Sequence, residues 1–418
     1  MLLQNAEPST KSLEMEALLE KYPAMPPYVL LKLSMIRYGA ALTERANARL
    51  MQKDLSFNTE EAFGLQFGKG ERKYAMPGPV LLRDASFVYI NWGEDYQDPY
   101  WIDFDPAQNR FFLLDGEQLV DEIGFVSRPA FFGKKTRRGT PMEMLADVRP
   151  QKLIMTAYRK CVFRDMEKQC KFCAFFTNGY TGDLAVDPED AHDVVEEALK
   201  EPGRFSEILI SGGTDLSGKY RFANEEARYI RLWQAMGRNF TGRFPSQLQA
   251  PAYPKDILRR IYDNTGITSY SPNIEIADKA LFQKYCPGKE QYIGYDNWIK
   301  SLIDAVEVFG VGNVYTQVVA GAELAGPHGF QDMEEAIESN LRLCERLAKE
   351  GVIFFGSVWR PHANADLGFV PMPPLEYYVK LTLGLHEIRR AYGLFAQDDD
   401  YKHCGDHPDS DLERTDYL

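Results

Sequence analysis

From residue 150 onward the chain alternates between short apolar runs and amphipathic helical stretches, and few folds accept that pattern. QKLIMTAY (151–158), SEILISGG (206–213), PSQLQAPAY (245–253), ITSYSPNIEIAD (267–278), GNVYTQVVAG (312–321) and VIFFGSVWRP (352–361) read as strands. DPEDAHDVVEEALKE, NEEARYIRLWQAMGRNF, PKDILRRIYDNTG, NWIKSLIDAVEVFG, DMEEAIESNLRLCERLAKEG and PLEYYVKLTLGLHEIRRAYG read as the helices that follow them. Asp187 suits an N-cap, Pro188 suits the first turn, and acidic residues crowd the positive end of that helix. Six strand–helix units in succession predict a parallel sheet. The right-handed crossover rule curls it into a partial (β/α)6 barrel of TIM type over residues 150–392. Chemistry in such folds sits at the C-terminal ends of the strands.

The fold class is therefore α/β, with an α+β N-terminal region (1–149) and a short C-terminal tail (393–418). Residues 1–60 read as helical, and 78–125 as short strands joined by turns. The basic run GKKTRRG (133–139) is either a solvated loop or a contact for an acidic partner. The tail carries His403, Cys404, Asp406 and His407 after an acidic run. It is either a plain polar tail, a segment folding over the barrel mouth, or a metal site.

The chain has 48 Lys and Arg against 61 Asp and Glu, a net charge of −13. That balance excludes the basic footprint a nucleic-acid binder needs and disfavours an anionic membrane surface. The N-terminus lacks a basic start followed by an apolar stretch, and no apolar run approaches the roughly 20 residues of a membrane helix. The expectation is a cytoplasmic protein without a nucleic-acid or membrane partner.

Half of the six cysteines lie in one run, CVFRDMEKQCKFC, as Cys161, Cys170 and Cys173. The run follows directly on the first barrel strand, at the mouth. Three thiolates on one loop can hold three irons of a [4Fe–4S] cube and leave the fourth open for chemistry. They can also belong to a zinc site completed by a distant ligand. A disulfide framework fits poorly with an odd number of thiols and no secretion signal. Cys286, Cys344 and Cys404 supply no second CxxC pair, so an accessory cluster is not expected.

The ordered set of strand ends resembles the radical S-adenosylmethionine (SAM) enzymes over about residues 150–365. Phe172 precedes the third cysteine, as the family favours. Gly212-Gly213-Thr214-Asp215 stands where the family has a Gly-Gly-Glu-like turn. SPNIEIAD, VVAGAEL (318–324) and VWRPHANADLG end the fourth, fifth and sixth strands. Two departures are plain. The C-x8-C-x2-C loop is five residues longer than the usual spacing, and threonine replaces glutamate in the turn. The long loop and the YCPGK run after the fourth strand are similar to a less-characterised subfamily.

The resemblance implies a [4Fe–4S] cluster on Cys161, Cys170 and Cys173, with SAM as second cofactor. Gly212, Gly213 and Thr214 would take the amino end of SAM, and Asn273 and Glu275 the ribose. Gln249, Gln317 and Arg360 are further cofactor candidates at strand ends, and Tyr270 and His362 share that placement. His403, Cys404 and Tyr315 are the catalytic candidates. The implied activity is reductive cleavage of SAM to a 5′-deoxyadenosyl radical, which takes hydrogen from a small molecule, amino-acid-like or carboxylic. A reductant such as flavodoxin or ferredoxin is implied as partner. The alternatives are a radical SAM group-transfer enzyme, and a binding or scaffold protein held by zinc or an inert cluster.

Overall fold

Ser9 opens the first helix, its side-chain oxygen accepting from the Ser12 N–H. The computed structural model describes residues 9–52, 79–90, 98–149, 151–175, 184–368, 370–395 and 407–415. The N-terminal region runs through α1 (Thr10–Lys21), α2 (Pro27–Tyr38), β1 (Ala40–Leu42), α3 (Glu44–Leu50), β2 (Val80–Leu81) and β3 (Phe87–Val88). It continues with β4 (Tyr100–Asp105), β5 (Arg110–Asp115) and β6 (Gln118–Phe125). These strands form one sheet in the order β1-β4-β5-β6-β2-β3. Burial alternates along β4, as a strand with one covered face requires. The all-helical expectation for the first 60 residues misses β1, which pairs parallel with β4. Gly39, at φ +72°, ends α2 and turns the chain, and three residues are too few to show an alternation.

The second region begins with β7 (Ala146–Arg149), β8 (Lys152–Thr156), α4 (Val162–Asp165), α5 (Pro188–Ala198) and β9 (Glu207–Ser211). Next come α6 (Ala223–Gly237), β10 (Ser246–Leu248), α7 (Lys255–Asn264), β11 (Ser269–Tyr270), α8 (Lys279–Tyr285), α9 (Pro287–Tyr292) and α10 (Tyr295–Phe309). β12 (Tyr315–Ala320), α11 (Met333–Ala348), β13 (Ile353–Val358), α12 (Leu375–Ala391) and α13 (Pro408–Thr415) complete the chain. Strands β8 to β11 pair parallel in sequence order, with β7 antiparallel on the edge of β8. β12 and β13 form a second parallel ladder. Bridges from Tyr270 to Val314 and from Glu275 to Val318 join the two ladders into a curled half-barrel sheet. β8 is buried along its whole length, the mark of a strand covered on both faces.

The fourth predicted strand is the least regular. Only Ser269 and Tyr270 of ITSYSPNIEIAD pair as a strand. Pro272 has no N–H to give, and Glu275 turns to φ +68°. Side chains replace the lost ladder: Thr316 Oγ1 accepts from the Ile274 N–H at 2.9 Å and donates to the Pro272 carbonyl at 3.0 Å.

The C-terminal tail also departs from expectation. Its described part is the buried helix α13, packed on α2, α12 and β13. Its acids neutralise two cations that are almost wholly buried. Arg389 of α12 pairs with Asp409 and Glu413, and Lys32 of α2 with Asp411. The GKKTRRG run is likewise spent internally, with Lys134, Arg137 and Arg138 paired to acids of α5 and its N-cap.

Candidate functional site

Cys161 is the N-cap of α4, five residues past the end of β8. The turn after β9 lies directly on it. The Gly213 N–H donates to the Tyr158 carbonyl at 2.8 Å, and the Val162 N–H to the Thr214 carbonyl at 2.9 Å. A Cβ on Gly213 would stand 2.1 Å from the Lys160 carbonyl oxygen and 2.7 Å from the Cys161 nitrogen. Only glycine lets the two turns meet. The long spacing between the first two cysteines is a folded turn rather than slack chain. Phe163 in α4 is buried, stacked on Tyr292 and pressed against Gly288.

Two further segments hold the same loop. The Lys171 N–H donates to the Tyr285 carbonyl at 2.8 Å, and the Gly288 N–H to the Lys168 carbonyl at 3.0 Å. The Leu367 N–H donates to the Lys171 carbonyl at 2.8 Å. Asp366 takes the Gln169 amide and the Lys171 ammonium, each at 2.7 Å. Arg164 donates to the Cys173 carbonyl at 2.8 Å.

Cys161, Cys170 and Cys173 are half-buried and not in disulfides. Burial, then the Cys170 sulfur, pushes the Cys173 thiol up to about 12. Burial also raises Cys161. Cys170 is raised by contact with the thiol of Cys286 and by burial. Such thiols stay protonated until a metal displaces the protons. Zinc bound by thiolates would bring the sulfurs to about 3.8 Å from one another, given a Zn–S bond of about 2.3 Å. Among the described residues no three cysteine sulfurs lie within 4.8 Å of one another. The one grouping that compact, His192, Asp193 and Glu196, has Arg137 paired to both of its acids.

Of the residues expected to hold SAM, the structure brings Gly212, Gly213, Thr214, Asn273 and Glu275 toward this loop. Lys289 makes the link on one side: its ammonium donates to the Asn273 carbonyl at 2.9 Å and pairs with Glu275 at 2.8 Å. Burial lowers the Lys289 pKa, but Glu275 and the Cys170 and Cys286 sulfurs more than offset it, and the net direction is up. On the other side, fully buried Glu225 of α6 accepts from the Asp215 N–H at 2.6 Å and from the Tyr253 hydroxyl. Burial pushes its carboxyl up to about 8, against those hydrogen bonds.

The remaining candidates scatter. Gln249 is half-buried just past β10, its N–H donating to the Ile210 carbonyl. A Cβ on Gly356 would touch Leu385 and Leu381, so that face of β13 meets α12. Alternation then puts Gln317, Phe355 and Ser357 on the inner face. Gln317 is 2.7 Å from His407 Nε2, so the start of α13 reaches the inner face. Tyr315 opens β12 at the end away from the cysteines, buried with Ala348, Ile353, Phe355 and Leu394. Arg360 lies over the Tyr89 ring, 6.0 Å from its centre. His362 Nδ1 accepts from the Asn364 N–H, and burial lowers its pKa. Tyr270 is buried, its hydroxyl on the Pro251 carbonyl. His403 and Cys404 lie outside the described residues. In VVAGAEL, Glu323 is buried and accepts from the Gly321 N–H, Asn340 and Tyr377, which makes it a structural staple.

Sequence reasoning passed over Lys289, Glu225 and Arg164 and left Cys286 without a role. The YCPGK run was the available signal for two of them; nothing local marks Glu225 as buried.

No family pattern and no curated protein matches the chain. Among solved structures, a radical SAM methyltransferase from Sphaerobacter thermophilus is similar at 16% identity with a TM-score of 0.42. The match covers 62% of this chain and 70% of that one. So distant a likeness carries nothing about reaction or substrate. No described helix is long and apolar enough to cross a membrane.

Proposed function

We propose that this chain is a radical SAM enzyme acting on a small polar molecule. The observation that carries the reading is the seating of Gly213 on the Lys160–Cys161 backbone. It fixes the end of β9 against a loop bearing three separate thiols, at the C-terminal end of a curled parallel sheet. When bound, a [4Fe–4S] cluster and SAM together supply a 5′-deoxyadenosyl radical able to take hydrogen from unactivated carbon.

The chain's own residues then have defined tasks. Cys161, Cys170 and Cys173 would hold three irons of the cluster as thiolates. Gly212, Gly213 and Thr214 keep the turn free of bulky side chains, so that backbone can meet the amino end of SAM. Asn273 and Glu275 would meet the ribose, and Lys289 holds the Asn273 carbonyl and the Glu275 carboxylate in place. The inner face offers Gln317 and Ser357, which suits a hydrogen-bonding substrate. A flavodoxin- or ferredoxin-type protein is the proposed electron donor.

The test is anaerobic reconstitution with iron and sulfide, then reduction by dithionite in the presence of SAM. The expected result is about four irons per chain and release of 5′-deoxyadenosine with methionine. A colourless protein, or one that forms no deoxyadenosine with any reductant, would overturn the reading.

A further inference from the structure

Asp215 ends the turn after β9, and the function just proposed gives it no task. It is also the one carboxylate in Gly212-Gly213-Thr214-Asp215, where threonine stands in place of glutamate. Both of its oxygens are engaged. Oδ1 accepts from the Ser217 N–H at 3.0 Å and from the Ser217 hydroxyl at 2.5 Å, and Oδ2 accepts from Arg228 Nη2 at 2.8 Å. Its own N–H donates to Glu225 at 2.6 Å. Backbone and side chain are both tied to α6. The Arg228 guanidinium lies over the Tyr158 ring, 4.0 Å from its centre, and the Tyr158 carbonyl takes the Gly213 N–H at 2.8 Å. The contacts close a ring: Tyr158 to Gly213, along the turn to Asp215, across to Arg228 and back to Tyr158. The Arg228 and Asp215 side chains are 15% and 14% exposed, so their ion pair is shielded from most of the water that weakens surface pairs.

This geometry separates two roles for Asp215. A carboxylate that took over from the missing glutamate would offer its charge to the ammonium of SAM. Asp215 already has a guanidinium at 2.8 Å, so a second cation gains little from it. The turn, by contrast, needs an anchor. Two successive glycines give it wide conformational freedom. The pairing of β9 with β8 fixes its start, and the bonds of Asp215 to α6 fix its exit. A carboxylate–guanidinium bond is of the strong, charge-assisted kind, and the Tyr158 ring holds the guanidinium that makes it. We propose that Asp215 is a positioning residue that, through Arg228 and Tyr158, fixes Gly212, Gly213 and Thr214 in the shape that receives SAM, without touching SAM itself. The proposal rests on the radical SAM reading of this turn.

The test is a double-mutant cycle on the full chain: wild type, Asp215→Asn, Arg228→Gln and the double variant, with Arg228→Lys as the conservative control. Two quantities are read. One is SAM affinity, by calorimetry on the reconstituted protein. The other is hydrogen exchange of the Gly213 amide, by mass spectrometry on the chain without cluster. Asp215→Asn and Arg228→Gln should each weaken SAM about three- to tenfold. The double variant should bind no more weakly than either single one, and the Gly213 amide should exchange faster in all three. Arg228→Lys keeps the charge and should lie closer to wild type than Arg228→Gln. A direct contact from Asp215 to SAM gives the opposite sign at Arg228. Removing that cation would free the carboxylate, so SAM binding as tight as wild type, or tighter, in Arg228→Gln overturns the proposal. Additive losses in the double variant overturn it too, as does an unchanged Gly213 exchange rate in Asp215→Asn. If Arg228→Gln does not reach wild-type circular dichroism, the exchange rates of Asp215→Asn and Arg228→Lys decide the question. In each of these cases wild type still binds SAM, and the proposed function stands. A reconstituted wild type that binds no SAM overturns the proposal and the functional reading together.

Discussion

Replacing Gly213 by alanine tests the central contact of the site. Gly213 does not have a positive φ, so alanine is allowed by the backbone and the effect is steric alone. The new Cβ would fall 2.1 Å from the Lys160 oxygen, about 0.9 Å inside the 3.0 Å that Cβ atoms do not cross. It would also meet the Lys160 carbon at 2.4 Å and the Cys161 nitrogen at 2.7 Å. All three atoms are backbone, so no rotamer change relieves the clash. Overpacking of this kind costs about 3 kcal/mol or more, the upper end of the usual range. At ~2 °C per kcal/mol for a large domain, the melting temperature should fall by about 6 °C. Because the atoms displaced belong to Lys160 and Cys161, iron uptake should fall with it. Gly212→Ala meets Tyr158 and Tyr229 at 3.1 to 3.3 Å and should cost less. Gly237→Ala meets only Phe244 at 3.4 Å and should be nearly neutral. Calorimetry and iron analysis on the three variants give the order. A Gly213→Ala protein with wild-type melting and wild-type iron content would refute the packing of β9 on the cysteine loop.

Asp409→Ala leaves the buried Arg389 guanidinium short of its main countercharge and should cost about 3–5 kcal/mol in denaturant unfolding; a change under about 1 kcal/mol would mean that α13 does not dock as described. Glu225, raised to about 8 by burial between Asp215, Arg228 and Tyr253, binds more protons in the folded chain than in the unfolded one. Wild-type stability should therefore fall, relative to Glu225→Gln, as pH rises from about 4.5 to 8, by a few kcal/mol in total; parallel pH profiles for the two proteins would contradict this. Lys289→Gln loses the ion pair with Glu275, and SAM affinity measured by calorimetry should drop about tenfold, or ~1.4 kcal/mol. Its iron content should hold, and unchanged affinity would remove Asn273 and Glu275 from the SAM site.

What the sequence showed and what it hid divide along a physical line. Elements with a strong local pattern were legible: Asp187 caps α5 through the Glu189 N–H, as its neighbours lead one to expect. The cysteine loop was legible because thiols are rare and their spacing is short. What was hidden depends on partners far away in sequence. PDSDLE reads as a polar tail, since nothing near it reveals that Arg389 and Lys32 are buried and need its charge. Glu225 looks like a helix-surface acid until Tyr253 and Asp215 close over it. Tyr315 was a strand residue of the right type, but strand identity alone does not say which end of the strand it occupies.

The unusual length of the cysteine loop follows from how the loop is held. A short loop can be shaped by its metal. Here the first four of the eight residues between Cys161 and Cys170 form α4 and bury Phe163, and the loop hydrogen-bonds to three separate segments at Thr214, Tyr285 and Gly288, and Leu367. Those bonds involve backbone and not sulfur, so the fold of the loop is held by its neighbours as well as by any metal. A structural zinc site works the other way, since metal binding there supplies the folding energy. The YCPGK segment belongs to the same logic. Gly288 is small so that Phe163 can seat, and Lys289 joins the same segment to the strand end that carries Asn273 and Glu275. The long loop and the YCPGK run are thus two halves of one contact, and neither could be shortened without loosening the other.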